Sequence, residues 1–222
     1  RCPMIKRLRQ WEAELGTTHL VRFYAVGLLL FVLPYTRDLF VKIIPITLLL
    51  VFGLALYRNK DWRVKTVLCF LFIVLTSFFV EAIGVATGAL FGAYAYETGL
   101  GVKWLDTPLL IGLNWLFLVY ASHSIVSRIT GNPILRILSG GIAMVGYDLV
   151  LEVAAPAMQM WSFQSGYPPF INFLTWFIMA VIYHSLFVTL KIKADNPLAG
   201  KIFWVQIAFF MCISLFHIFS MP

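Results

Sequence analysis

Apolar residues gather along this chain into seven long runs, at about 18–36, 39–57, 64–90, 107–127, 134–158, 169–190 and 202–220, with charged and turn-forming residues between them. Each run is near or above the ~20 residues that a helix needs to cross the hydrocarbon core of a bilayer. The pattern predicts an all-α fold, a polytopic membrane helix bundle of about seven transmembrane helices, built as a single integral membrane domain over residues 1–222. The first two runs are the least securely divided, because Pro34, Arg37, Asp38 and Lys42 crowd their junction. Residues 1–17 include KRLRQWEAEL, which reads either as a short basic helix on the inner membrane surface, with Trp11 at the interface, or as a frayed cytoplasmic tail. The long first run behind a charged stretch does not have the form of a cleavable signal peptide. No internal repeat, low-complexity segment or interdomain linker interrupts the pattern.

The most informative polar position is Glu81, set within VLCFLFIVLTSFFVEAIGVATGALFGAYAYE. A carboxyl at such depth costs roughly 2.5–3.5 kcal/mol on insertion scales, so it usually marks a functional site. Helical spacing places Ser77, Glu81, Gly84 and Gly88 on one stripe, and Gly84, Gly88 and Gly92 form a doubled small-xxx-small pattern. That stripe is expected to face a neighbouring helix.

Charge then orients the bundle. Of the 17 basic residues, 13 lie before the first run or in alternate connections (58–65, 128–136, 191–201), against Arg37, Lys42 and Lys103 on the other side. The positive-inside rule sets the amino terminus in the cytoplasm and the carboxyl terminus outside. The net charge of +7 is thereby a topology signal and gives no reason to expect nucleic acid as a partner. Composition agrees, since 61% of residues are hydrophobic and 12% charged, too apolar for a soluble domain of this length. Cys2, Cys69 and Cys212 have no paired spacing, so neither a disulfide framework nor a thiolate metal site is predicted.

Depth, taken at roughly 1.5 Å per helical residue, brings the polar residues to one level. Glu81, the four-spaced pair Asp148 and Glu152, Asn114 and Asn172 all fall in the outer half of the membrane. Tyr94, Tyr96, Glu97 and Asp106 belong to the outer connection between the third and fourth runs. Each has a plainer reading as well. Asp148 and Glu152 suit a structural hydrogen-bond network, and Asn114 suits interhelical contact. Trp104, Trp161 and Tyr167 suit an interfacial aromatic belt, and Glu97 and Asp106 suit solvated loop charges.

Absences narrow the chemistry. His19, His123, His184 and His217 form no clustered motif of the kind that membrane di-iron oxygenases need. No G-x-G-x-x-G or phosphate loop appears, and no lysine follows Lys201 in the last run to form a retinal Schiff base. Carboxylates, tyrosines and amides remain, which suit proton transfer without redox change.

The stretch FVEAIGVATGALFGAYAYETGLGVKWLDTPLLIGLNWLFLVYAS resembles the signature of the CruF-type carotenoid biosynthesis family. A second family stretch is matched by Tyr147, Asp148 and Glu152, by Trp161–Ser162–Phe163, and by Pro168, Pro169, Asn172 and Trp176. The chain departs from it at Val153, where proline is usual, at Phe163, where tryptophan is usual, and at Thr175, where glycine is frequent. Members include carotenoid 1,2-hydratases, bisanhydrobacterioruberin hydratase and gamma-carotene 1'-hydroxylase among them. The resemblance implies a hydro-lyase that needs no cofactor and no metal, resident in a prokaryotic plasma membrane, with a lipophilic carotenoid and membrane lipid as its partners. Such a reaction protonates C-2 of a terminal isoprenoid double bond and captures the tertiary cation at C-1 with water. Desolvation and a nearby carboxylate both help a carboxylic acid keep its proton at neutral pH. On this reading Glu81, Asp148 and Glu152 are the candidate catalytic acids and bases. Glu81 and Asp148 are expected to form the proton-transfer core, and Glu152 and Asn114 to hold the water. Tyr94, Tyr96, Trp115, Trp161, Asn172 and Trp176 complete the candidate substrate- and water-binding set, with aromatic faces stabilising the cation. A carotenoid cyclase, which excludes water, and a small proton-coupled transporter are the alternatives.

Overall fold

The computed structural model describes the backbone of residues 3–220 and the side chains of residues 16–220. Seven α-helices follow one another: α1 (Pro3–Val32), α2 (Arg37–Tyr57), α3 (Val64–Thr87), α4 (Leu110–Ile129), α5 (Pro133–Ala154), α6 (Phe170–Thr189) and α7 (Pro197–Ser220). Among the described residues six segments, from Pro34–Tyr57 to Pro197–Ser220, are long and apolar enough to cross a membrane, and Gly16–Val32 adds a shorter apolar helix. This is the polytopic all-α bundle of an integral membrane protein. The crowded junction of the first two runs is a break: α1 ends at Val32, and a short 3-10 turn, Pro34–Thr36, leads into α2. There Arg37 Nε donates to the Phe31 carbonyl and its guanidinium lies over the Phe31 ring, 4.6 Å from the centroid. The backbone is helical from Pro3, continuous with the first apolar run; Trp11 and its neighbouring side chains lie outside the described residues.

Local chemistry sets the helix ends. Asn132 caps α5 by accepting from the Ile134 and Leu135 amides, with Pro133 in the first turn. Asn196 does the same for α7, accepting from Leu198 and Ala199. Gly88 closes α3 in the left-handed conformation, φ +66°. Helix α3 is therefore shorter than its apolar run, and the expected Gly84–Gly88–Gly92 helix face does not form. Gly88 is a cap, and Gly92, at φ +93°, lies in the following turn against Pro169. Close helix approach is carried by other glycines. A Cβ on Gly112 of α4 would stand 2.4 Å from the Val74 carbonyl oxygen of α3, and one on Gly140 of α5 would stand 1.7 Å from the His184 ring of α6.

Helix α4 is the centre of the bundle. Every residue from Trp115 to Ser124 is buried, and α2, α3, α5, α6 and α7 all pack on it. The other helices expose large apolar side chains such as Leu29, Leu50, Leu68, Ile142 and Ile182, the surface that lipid would cover. At the end of the bundle holding the α3–α4 and α5–α6 connections, two short ladders form that the helical pattern did not foreshadow. Strand β1 (Tyr94–Tyr96) pairs antiparallel with β4 (Trp161–Phe163), and β2 (Lys103–Trp104) pairs with β3 (Thr107–Pro108).

Candidate active site

The β1–β4 ladder is the device that builds the site. Alternation along a strand sends side chains i and i+2 to one face, so Tyr94 and Tyr96 both turn inward while Ala95 faces out. The register sets Tyr94 beside Phe163 and Tyr96 beside Trp161, with ring centroids 5.4 and 5.9 Å apart. Gly99 lets the returning backbone lie against residues 158 and 159, where a Cβ would come within 2.6 Å of two carbonyl oxygens.

Beneath this ladder Glu81 of α3 is 3% exposed and fully engaged. Its Oε2 accepts from the Tyr94 hydroxyl at 2.6 Å and the Tyr96 hydroxyl at 2.9 Å, and its Oε1 from Trp115 Nε1 at 2.8 Å. Across from it, Asn172 of α6 uses one amide nitrogen to bond two acids of α5, Asp148 Oδ2 and Glu152 Oε1, each at 3.0 Å. Glu152 Oε2 accepts from Trp161 Nε1 at 2.9 Å. Asp148 is wholly buried, and its Oδ1 has no hydrogen-bond partner among the described residues. The partners of the three acids are thus two phenols, two indoles and one amide, all neutral. Neutral donors stabilise a carboxylate without cancelling its charge, so protons can still be exchanged within the group.

Glu81 and Glu152 line a common cavity of about 10 Å³, the room one water molecule requires. Tyr94, Tyr96, Trp161, Phe163 and Trp176 wall it with aromatic rings, and Asn172 contributes its amide. Trp115 stands behind Trp176, ring centroids 4.2 Å apart, and so braces the wall while holding Glu81. The four-residue spacing of Asp148 and Glu152 gives the pair unequal positions. Glu152 reaches the cavity, whereas Asp148, one turn along α5, lies behind Asn172 and does not line it.

Asn114 is the candidate that the fold does not bring in. Successive helical residues point about 100° apart, so with Trp115 directed at Glu81 its neighbour Asn114 turns away; it is half-buried and bonds none of the acids. Tyr167 and Trp104 are exposed, Trp104 resting on Phe78 at 5.6 Å, and Asp106 is solvated. Phe91 and Ile111 also line the cavity and were not foreseen. Gly84 carried the signal for Phe91: a Cβ there would stand 2.4 Å from the Phe91 ring, so the glycine makes room for it. His123 and His184, isolated in sequence, are side by side with centroids 5.5 Å apart, and Ser122 Oγ lies 3.1 Å from His184 Nε2. They stand apart from the acids.

The sequence model of a family described as "Carotenoid biosynthesis protein" matches residues 40–221, most of the chain. The protein belongs to that family, which supports a role in carotenoid biosynthesis. Neither the curated proteins nor the solved structures contain a match to the chain.

Proposed function

For a member of the carotenoid biosynthesis family built in this way, we propose hydration of the terminal C1–C2 double bond of an acyclic carotenoid end group. The observation that carries the reading is the water-sized cavity between two buried carboxyls and a wall of aromatic rings. Hydration needs a proton source, a site for one water, and a surface that stabilises a tertiary cation, and these three lie within one enclosure.

The roles follow from position. Glu152, at the cavity and coupled through Asn172 to Asp148, is the acid that protonates C-2. Asp148 is a positioning and proton-holding residue behind it, its free Oδ1 offering a place for a proton that no neighbouring donor contests. The positive charge left on C-1 meets the faces of Trp161, Trp176 and the two tyrosines, whose quadrupoles favour it. Glu81, held by three donors, orients the water and accepts one of its protons as the oxygen bonds to C-1. One proton leaves Glu152 and one arrives at Glu81, so the net change is addition of water, and proton exchange within the acid group restores the start. A cyclase shares the first step and must then exclude water; room for one water beside the acids favours hydration.

The test is expression in a host that makes an acyclic carotenoid, followed by mass analysis of the pigments. A gain of one water per modified end is expected. An unchanged mass with altered absorbance would point to cyclisation, and unaltered pigment would overturn both readings.

A further inference from the structure

Lys103 is the one lysine or arginine between Lys65 and Arg128, and the α5–α6 connection beside it has none. Its own loop carries two acids, Glu97 and Asp106. Among the described residues its ammonium pairs with neither; Nζ donates instead to the backbone carbonyl of Tyr96. That carbonyl is on the open edge of β1. The Glu97 amide bonds the Met160 carbonyl and the Gln164 amide bonds the Ala93 carbonyl, so residues 93 and 97 face β4, and Tyr96, one step off, turns its backbone the other way. Lys103 also opens a two-residue hairpin, β2–β3, in which Leu105 and Asp106 are both left-handed, at φ +53° and +56°. Such a turn favours Asn and Gly and strains a leucine. Strain of this kind persists where the surroundings hold it. Two contacts do so here. Lys103 grips Tyr96, and Trp104 stacks on Phe78 of α3, with centroids 5.6 Å and planes 9° apart. Phe78 lies about one helical turn before Glu81, so the hairpin touches both carriers of the Tyr96–Glu81 hydrogen bond.

We propose that Lys103 is a positioning residue for the reaction, holding Tyr96 where its hydroxyl aligns the Glu81 carboxyl; the inference rests on the hydration reading above. Glu81 Oε2 accepts from two phenols, and Tyr96 is the one at the end of the three-residue strand β1, where the ladder gives way to a turn. A charged donor on its carbonyl is a stronger tie than a neutral one. Without the ammonium that edge is released, the phenol drifts from Oε2, and the water meets a less well-aimed base. Lys103 neither lines the acid cavity nor bonds an acid, so its effect runs through Tyr96.

A 3-fluorotyrosine in place of Tyr96 gives a fluorine signal that reads the phenol's contact with Glu81 without turnover. Lys103→Met keeps the stem of the side chain and removes the ammonium. It should shift or broaden that signal, while fluorotyrosine in place of Tyr57, exposed at the far end of α2, should be unmoved. Hydration kcat should fall about tenfold with KM unchanged, the worth of one charge-assisted hydrogen bond. Lys103→Arg should restore both signal and kcat. In a Tyr96→Phe background Lys103→Met should cost nothing further, because the hydroxyl it positions is gone. Trp104→Leu, which frees the hairpin from Phe78 and keeps the ammonium, should move the Tyr96 signal as well. An unchanged fluorine signal in Lys103→Met would overturn the proposal, as would an equal loss of kcat with and without the Tyr96 hydroxyl. Unaltered pigment from the wild type would sink the hydration reading alone, with the fluorine signal still deciding whether Lys103 holds Tyr96 to Glu81.

Discussion

Glu81→Gln separates the chemistry of the site from its architecture. The amide keeps the size of the carboxyl, and its oxygen still accepts from Trp115 Nε1, which stands 2.8 Å from Oε1. Its NH₂ then faces the Tyr94 and Tyr96 hydroxyls, at 2.6 and 2.9 Å in the wild type. Hydroxyls accept as readily as they donate, so both can turn their hydrogens away and receive the amide protons. The change exchanges charge-assisted bonds for neutral ones, at a stability cost of about 1–3 kcal/mol. Glu81→Leu, by contrast, leaves two phenols and an indole without an acceptor, at about 1–3 kcal/mol each, and should impair accumulation. What Gln cannot do is take a proton from water. General base catalysis is worth roughly 10²–10⁴-fold, or about 2.7–5.5 kcal/mol of barrier. The assay is hydration rate per mole of purified protein, with polyene binding and thermal midpoint measured alongside. Retention of more than about a tenth of wild-type activity would refute the role, leaving Glu81 as a structural acceptor for the ladder.

Reporter fusions at Lys60 and at the carboxyl terminus should lie on opposite sides of the membrane, since five helices separate them; matching accessibility would break the topology. Gly140→Val should reduce accumulation sharply, because its side chain would enter the His184 ring, whereas Gly146→Val, with open space where its Cβ would stand, should not. Gly88→Ala should cost about 1–2 kcal/mol through left-handed strain at the end of α3, measurable as a lower thermal midpoint. At the opposite end of the bundle, Arg63 holds the Asp61 carboxyl well below the usual carboxylate range, aided by the Lys193 amide, and Arg63 also bonds the Lys191 carbonyl. A depressed carboxylate contributes its stability above the unfolded value of about 3.9 and loses it as pH falls through its folded value. Acid should therefore release this tie, and Asp61→Asn should lower stability at neutral pH while removing that part of the acid dependence.

Helices were legible because apolar runs of membrane length have few alternative structures, and α2 to α7 fall close to their predicted runs. That Glu81, Glu152, Asp148 and Asn172 share one level was legible from depth, which placed Asn114 at that level as well. Details that turn on rotation or on distant pairing were not. Asn114 and Trp115 are adjacent in the chain, and only packing decides which of them faces Glu81. Strands β1 and β4 are three residues each, and their partnership joins segments far apart in sequence, so no local periodicity announces it. The Gly84–Gly88–Gly92 spacing fits a helix face and a helix end followed by a turn equally well. The left-handed backbone at Gly88 is a consequence of where the chain must go next, toward Tyr94 and the site.

The central claim is that water itself is captured by a substrate cation beside Glu81 and Glu152. Incubation of the purified protein with an acyclic carotenoid in ¹⁸O-labelled water, without oxygen, should give a tertiary alcohol whose oxygen carries the label. An alcohol that forms only when oxygen is admitted, an alcohol without the label, or a product of unchanged mass would contradict it.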